Sequence, residues 1–358
     1  MSGEALARRV RDAVRRALAR EVAAIEEIPA GLGRRRFFRV RLASGAPAVL
    51  VARVELPEDP ARRPRGVPPE PALEPLRSFL AASSIPVPAS YGGDADVVLL
   101  EDIGTLALWQ VATGAGPAER RALYHEACDL VPSLQRLRAP AERIPAFSRH
   151  LDATLFRYKA EFFTRWSLPS ALGRAPTSAE AAVVQEAFDF VAREAAGAPQ
   201  RFAHRDLQGA NVLIRPGAPP GARVVLIDVQ GAFLAPPEYD LVCLLRDSYV
   251  ELGDEEVSHQ LARICSALPD APGAEIFARR FDLLTLTRKG KDHALGFYHA
   301  AQRDDPSQVR FAPTCARYLR AAARRSAGLD PRLARLAELI EALPTSATAG
   351  PPAASARP

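Results

Sequence analysis

The sequence predicts an α+β fold of two lobes: a small five-stranded antiparallel lobe over residues 1–102, then a mostly helical lobe over 103–343 that contains one β-hairpin. Three observations carry that prediction. The 358 residues exceed what one hydrophobic core usually fills, so two units are expected. Short β-prone segments crowd the first hundred residues, and helical periodicity dominates after Gly104. A single β-prone interruption, at 212–228, falls inside the helical half.

The elements follow in order. Leu6, Val10, Val14, Leu18, Val22 and Ile25 recur at spacings of three and four, the stripe of an amphipathic helix over 4–24 that packs on the first lobe. Segments 25–29, 36–42 and 47–54 are β-prone and are separated by Gly31-Leu-Gly33 and Ser44-Gly45, the pattern of a three-stranded meander. A Pro- and Arg-rich loop covers 57–71. After it, 73–82 reads as a short helix, and 90–91 and 97–101 as two more strands, which completes the five. Beyond Gly104, segments 117–137, 147–166 and 177–196 carry apolar residues at i, i+3 and i+4, with Pro or Gly between them. Val212-Leu-Ile-Arg215 and Val224-Val-Leu-Ile-Asp228, joined by Pro216-Gly-Ala-Pro-Pro-Gly221, read as a hairpin. Helices resume from about 238 to 342, and 344–358 has the composition of a disordered tail.

Composition narrows the function classes. An apolar fraction of 48% with 25% charged residues is ordinary for a globular protein and argues against a disordered or collagenous chain. The longest apolar runs, such as Ala48-Val-Leu-Val-Ala52, are strand-sized and far short of the roughly 18–20 residues that cross a bilayer. Arg8, Arg9, Arg11, Arg15 and Arg16 interrupt any signal-peptide core, so a cytoplasmic protein without membrane attachment is expected. Cys128, Cys243, Cys265 and Cys315 form no CxxC pair, and reduced, buried thiols are expected rather than zinc ligands or disulfides. The formal charge is only +5. Its arginines are interleaved with acids, which speaks against a nucleic-acid partner.

Chemistry concentrates around the hairpin. His204-Arg-Asp-Leu-Gln-Gly-Ala-Asn211 precedes it and Ile227-Asp-Val-Gln-Gly231 follows it. Phosphoryl transfer from ATP needs a carboxylate to take the acceptor hydroxyl's proton and oxygen ligands to hold Mg²⁺ against the phosphates. Asp206 can supply the first, and Asn211 and Asp228 the second. The five-residue step from Asp206 to Asn211 lets one loop present both side chains, and the hairpin returns Asp228 to the same end.

The complete H-R-D-x-x-x-x-N pattern resembles the protein-kinase-like superfamily, and within it the aminoglycoside phosphotransferase branch. Ile227-Asp-Val-Gln230 and Tyr239-Asp-Leu-Val-Cys-Leu-Leu-Arg-Asp247 are similar to the I-D-F-Q and Y-D-L patterns of the bacterial anomeric sugar kinases, the N-acetylmuramate/N-acetylglucosamine kinase group. Arg35-Arg-Phe-Phe-Arg-Val40 resembles that group's second strand, and Leu99-Leu-Glu-Asp-Ile-Gly104 its interlobe hinge. The resemblance spans about 25–325. It implies a bilobal protein-kinase-like fold, with adenine between the lobes on the hinge backbone around Glu101, Asp102 and Ile103, and Asp206 facing the acceptor.

Two departures stand out. The chain has no lysine before Lys159, so the strand lysine that grips phosphates in kinases is missing. Arg53 is the available cation there, and the other role open to it is an ion pair with Glu55 or Glu74. Gly31 and Gly33 lack a full G-x-G-x-x-G and form either a hairpin turn or a phosphate-covering loop, which Arg34 and Arg35 could assist. Tyr239 follows Asp228 by only eleven positions and no A-P-E follows, which leaves no peptide-docking segment and favours a compact hydroxylated acceptor.

Supporting residues divide by role. His204 and Arg205 read as loop braces. Gln208 and Gln230 reach Mg-bound water or the acceptor, or else stabilise the loop. Asp240 anchors the catalytic-loop backbone from a helix start. Arg246, Asp247, Tyr249, His293, His299 and Arg303 are candidates for acceptor contact. Phe156, Tyr158, Phe162, Phe163 and Trp166 have the spacing of a helical core face. The expectation is an ATP- and Mg²⁺-dependent kinase of a small hydroxylated acceptor, an amino sugar or cell-wall sugar at its anomeric position. A non-catalytic nucleotide-binding regulator and an aminoglycoside-modifying enzyme are the alternatives. Oligomeric state is not legible.

Overall fold

The N-terminal helix α1 (Gly3–Leu18) lies on a five-stranded antiparallel sheet of β1 (Val22–Ile28), β2 (Arg36–Leu42), β3 (Val49–Val54), β4 (Ser90–Gly93) and β5 (Val97–Glu101), in the order β1-β2-β3-β5-β4. The computed structural model describes residues 3–29, 35–57, 69–270 and 272–345. Gly31, Gly33, Arg34, most of the 57–71 loop and the tail beyond 345 lie outside the described residues. Leu6, Val10, Ala13 and Val14 of α1 bury against Phe38, Val40 and Leu42 of β2 and their neighbours on β3 and β5. Alternation then turns Phe37, Arg39 and Arg41 to the opposite face. The helix stops short of the expected residue 24. Ala19 takes the left-handed conformation at φ 52°, and Val22 and Ile25 enter β1 instead. Spacings of three and four had continued across the turn, so periodicity alone could not mark the break.

The second lobe is helical. Its elements are α3 (Leu108–Gly114), α4 (Pro117–Gln135), α5 (Ala153–Trp166), α6 (Leu168–Leu172), α7 (Ser178–Ala196), α8 (Tyr239–Leu245), α9 (Asp254–Ala267), α10 (Ala274–Arg303), α11 (Ala312–Ser326) and α12 (Pro331–Glu341); α2 (Leu76–Ala82), although it lies between β3 and β4 in sequence, buries Leu76 and Leu80 in the same core as these helices. The 30 residues of α10 make a rod of about 45 Å along which α5, α7, α8 and α11 pack. Phe156, Phe163, Phe188, Phe277 and Phe281 fill this core. Gly290 sits where a Cβ would stand 3.2 Å from the Phe163 ring, so the helix approaches that ring as closely as it does because the position carries no side chain.

Four short strands interrupt the helices. The expected hairpin pairs β7 (Val212–Ile214) with β8 (Val224–Leu226), with Val212 opposite Leu226. A second pair, β6 (Arg201–Ala203) with β9 (Phe233–Ala235), was not anticipated, because three residues carry no readable period. All four cysteines are free and buried. Among the described residues no helix is long and apolar enough to cross a membrane.

Candidate active site

The loop from 204 to 211 joins β6 to β7, and α8 holds it at two points. Asp240, in the first turn of α8, accepts hydrogen bonds from the backbone N–H of His204 at 2.7 Å and of Arg205 at 3.0 Å. Arg205 needs that restraint, because its φ of 82° is a costly conformation for a residue with a Cβ. Asp247, just past α8, accepts from Gly209 N–H at 2.6 Å and from Tyr249 N–H at 3.1 Å. A Cβ on Gly209 would stand 2.8 Å from Asp247 Oδ2 and 3.0 Å from Trp109 Cβ, which explains the glycine. His204 Nε2 lies 2.9 Å from the Ile227 carbonyl oxygen, tying the loop to the residue before Asp228.

Burial pushes the carboxyls of Asp240 and Asp247 up to about 6, against the pull of His204 and its backbone N–H on Asp240, and of Lys289 and the Gly209 N–H on Asp247. These acids bind protons more tightly folded than unfolded, so their ionisation lowers stability as pH rises from about 4 to about 6. The loop, in contrast, needs them ionised as double acceptors. Turnover measured with Mg²⁺ in excess should therefore fall as pH drops through about 6 while the chain stays folded. A rate that stays flat down to pH 5 would contradict this.

Asp206 occupies the loop's centre with 30% of its side chain exposed. Arg288, from the middle of α10, donates through Nη1 to Asp206 Oδ1 at 2.7 Å and to the Arg205 carbonyl oxygen at 3.1 Å. Its Nε reaches Asp292 Oδ2 at 3.0 Å and its Nη2 lies 3.5 Å from Gln208 Oε1. Burial opposes the Asp206 charge, but Arg288, Arg205 and Lys291 outweigh it and hold the carboxyl well below the usual carboxylate range. Asn211 donates through Nδ2 to the Asp206 carbonyl oxygen at 2.8 Å, which leaves its Oδ1 for another partner. Ile227 N–H donates to the Asn211 carbonyl oxygen at 3.0 Å, so Asn211 and Asp228 share one end of the β7–β8 pair. Asp228 is in the left-handed conformation at φ 61° and 44% exposed. Its Oδ1 accepts from Gln230 Nε2 at 2.5 Å and Arg35 Nη1 at 3.3 Å. An amide oxygen and a half-exposed carboxylate are hard donors of the kind Mg²⁺ takes.

Facing these groups from the first lobe is a cluster of two cations and two acids. Arg35, just before β2, donates through Nε to Glu55 at 3.1 Å and also pairs with Glu70. Arg53 on β3 lies 2.5 Å from the same Glu55 oxygen. Burial, together with the like charge of Arg35, lowers the Arg53 guanidinium to about 10, which leaves it cationic at neutral pH. Glu70 also lies 3.9 Å from Arg205. At the hinge, Glu101 pairs with Arg215 on the hairpin, while Asp102 accepts from Arg39 at 2.6 and 3.2 Å and from Gly104 N–H at 2.9 Å. Ile103 is buried. The side chains of Glu101 and Asp102 are thus occupied, and what the hinge offers a ligand is backbone.

Other candidates point elsewhere. Arg246 is buried between the rings of Phe281 and Tyr318 and pairs with Asp254. His293 bonds Ser167 Oγ at 2.9 Å within the core, and His299 is buried. Sequence reasoning missed Arg288, Lys291 and Asp292 on α10, and Glu70. The only signal for this stretch of α10 was that two of the chain's three lysines, Lys289 and Lys291, fall in it. Lys289 is buried as well, bonded to Asp292 Oδ2 at 2.7 Å.

A five-stranded antiparallel lobe in the order β1-β2-β3-β5-β4, set over a helical lobe with a hairpin-bordered catalytic-type loop between, is the architecture of the protein-kinase-like fold. The chain belongs to the phosphotransferase enzyme family APH, whose model matches residues 24–275. It is 28% identical over 282 residues to an N-acetylmuramate/N-acetylglucosamine kinase of Pseudomonas aeruginosa, covering 76% of this chain and 78% of that one. With the protein of the same name from Neisseria meningitidis it shares 29% identity over 263 residues, 71% and 75% of the two chains. The structure of a gentamicin–APH(2″)-IIa complex superposes with a TM-score of 0.58 at 13% identity, covering 88% of this chain and 96% of that one, a likeness of fold alone. The bilobal fold and the class of enzyme expected from the sequence are both met.

Proposed function

We propose that the chain transfers the γ-phosphate of ATP, with Mg²⁺, to the anomeric hydroxyl of an amino sugar of the cell-wall type. The observation that carries this reading is the Asp206 carboxylate, fixed through one oxygen by Arg288 and presented from the same loop as Asn211. Its second oxygen lies 3.7 Å from the Arg205 Nε and is the one we assign to the acceptor hydroxyl. The names of the two bacterial relatives supply the sugar class.

In this reading the acceptor oxygen attacks phosphorus as the bond to the β-phosphate oxygen breaks and ADP departs. The hydroxyl proton passes to Asp206. A carboxylate with its proton affinity held so low is a weak base, and two features accommodate that. Transfer through a loose transition state asks for proton removal late, and an anomeric hydroxyl is more acidic than an ordinary alcohol. Asn211 Oδ1 and Asp228 would hold Mg²⁺, which when bound neutralises charge on the phosphates. Arg53, and Arg35 beside it, take the place of the strand lysine, with a flatter fork in place of a point charge. The backbone at 101–103 receives adenine. Positioning and electrostatics provide most of the acceleration.

Two measurements test this. Purified protein, labelled ATP and a panel of amino sugars, aminoglycosides and choline-like alcohols, read by mass spectrometry, should yield a sugar 1-phosphate. Nucleotide binding without any phosphorylated product would instead support a regulator. Asp228→Asn should abolish the Mg²⁺-dependent part of nucleotide affinity, and an unchanged Mg·ATP titration would remove Asp228 from its assigned role.

A further inference from the structure

Beside the catalytic loop three aromatic rings stand in series. Trp109 on α3 stacks on Tyr249, with centroids 5.5 Å apart and planes 28° apart, and Tyr249 meets Phe311 edge-on at 4.8 Å. All three are half-buried, so each keeps a surface open to a ligand. The series begins at the loop itself, where Trp109 N–H donates to the Gly209 carbonyl oxygen at 3.3 Å. The Tyr249 phenol lies within electrostatic reach of Asp247, of Asp292 and Arg288, the pair behind Asp206, and also of Arg310. Arg310 closes the series, its guanidinium 4.7 Å from the Phe311 ring centre. Its side chain is exposed, and among the described residues no carboxylate lies within ion-pair distance of it. Arg288, Lys289 and Lys291, by contrast, all pair with Asp292.

The apolar C–H face of a pyranose suits an aromatic surface of this kind, and a guanidinium with no acid of its own suits a carboxylate, which it can grip with two parallel hydrogen bonds. We propose that Trp109, Tyr249 and Phe311 form the platform for the acceptor sugar and that Arg310 binds a carboxylate on it. The preferred acceptor is then an amino sugar bearing an acidic side arm. This rests on the sugar-kinase reading above and adds to it where the sugar sits and what selects it.

The test compares N-acetylmuramate, which carries a lactyl carboxylate, with N-acetylglucosamine, which lacks it, in wild type, Arg310→Ala and Tyr249→Leu. A charge-assisted hydrogen bond is worth about 1.5–3 kcal/mol, so Arg310→Ala should raise the ratio of the two KM values, acid over neutral, by about tenfold or more. Tyr249→Leu should raise both KM values together, with kcat less affected. Sugar titrations in a Trp166→Phe background, where Trp109 is the only indole, should change its fluorescence. If the wild type phosphorylates the sugars but Arg310→Ala leaves the ratio alone, or Trp109 gives no response, this placement is wrong while the kinase reading stands. If no amino sugar is phosphorylated and none perturbs Trp109, both fall.

Discussion

Asp206→Asn should lower turnover by about 10²–10⁴ at saturating ATP and acceptor, with nucleotide affinity changed little. The substitution is nearly isosteric, so the amide oxygen can keep the 2.7 Å bond from Arg288 Nη1 and the loop can keep its shape. What changes is the other end of the group. An amide nitrogen there donates, so it cannot accept from the acceptor hydroxyl and has no capacity for its proton. Stopped-flow nucleotide binding beside steady-state rates would separate the two effects. Wild-type turnover in this variant would remove Asp206 from its proposed role and leave the chemistry without a base.

Arg288→Met is expected to act on stability and turnover together. The arginine is buried, and its fork joins Asp206, the Arg205 carbonyl oxygen and Asp292. Breaking a buried ion pair by removing one partner typically costs about 3–5 kcal/mol, because the other charge is left uncompensated. Asp292 keeps Lys289 and Lys291, so the loss falls on Asp206, which keeps only the 3.7 Å approach of Arg205 and partial exposure, and whose carboxyl should titrate closer to the ordinary range. We expect a urea midpoint lowered accordingly and turnover reduced by about 10² or more, since a misplacement of order 1 Å in a positioned group costs that much. Arg288→Lys should recover part of the stability and little of the rate, because one ammonium cannot span Asp206, Gln208 and Asp292 at once. Equal recovery of both would show that charge alone is required at this position.

The difference between Asp206 and Arg288 shows why only part of this site could be read from the chain. Asp206, Asn211 and Asp228 lie on a loop and a short hairpin, where a fixed spacing in sequence translates directly into position. Arg288 stands 82 residues beyond Asp206 on a helix whose periodicity reports a buried face without saying what that face meets. Glu70 follows a Pro- and Arg-rich stretch that carries no period at all, so nothing local marked its pairing with Arg35. The lobes themselves were legible because their periods differ, two against three and four. The errors fell where that contrast fades: at Ala19, where a helical spacing ran on into a strand, and at Arg201–Ala203 and Phe233–Ala235, which are too short to show any period.

One last consequence follows from the contacts along the hinge. Glu101 is paired with Arg215 of the hairpin turn, Leu226 N–H donates to the Pro86 carbonyl oxygen at 2.7 Å, and Ile214 N–H to that of Leu106 at 2.8 Å. The first two of these bonds join the lobes at the rear of the cleft, like the spine of a book, and the third holds the hairpin to the chain that leaves the hinge. Any gape between the covers then takes place at the fore-edge, where Arg35 reaches Asp228 and Glu70 approaches Arg205. Opening at that edge must part both contacts.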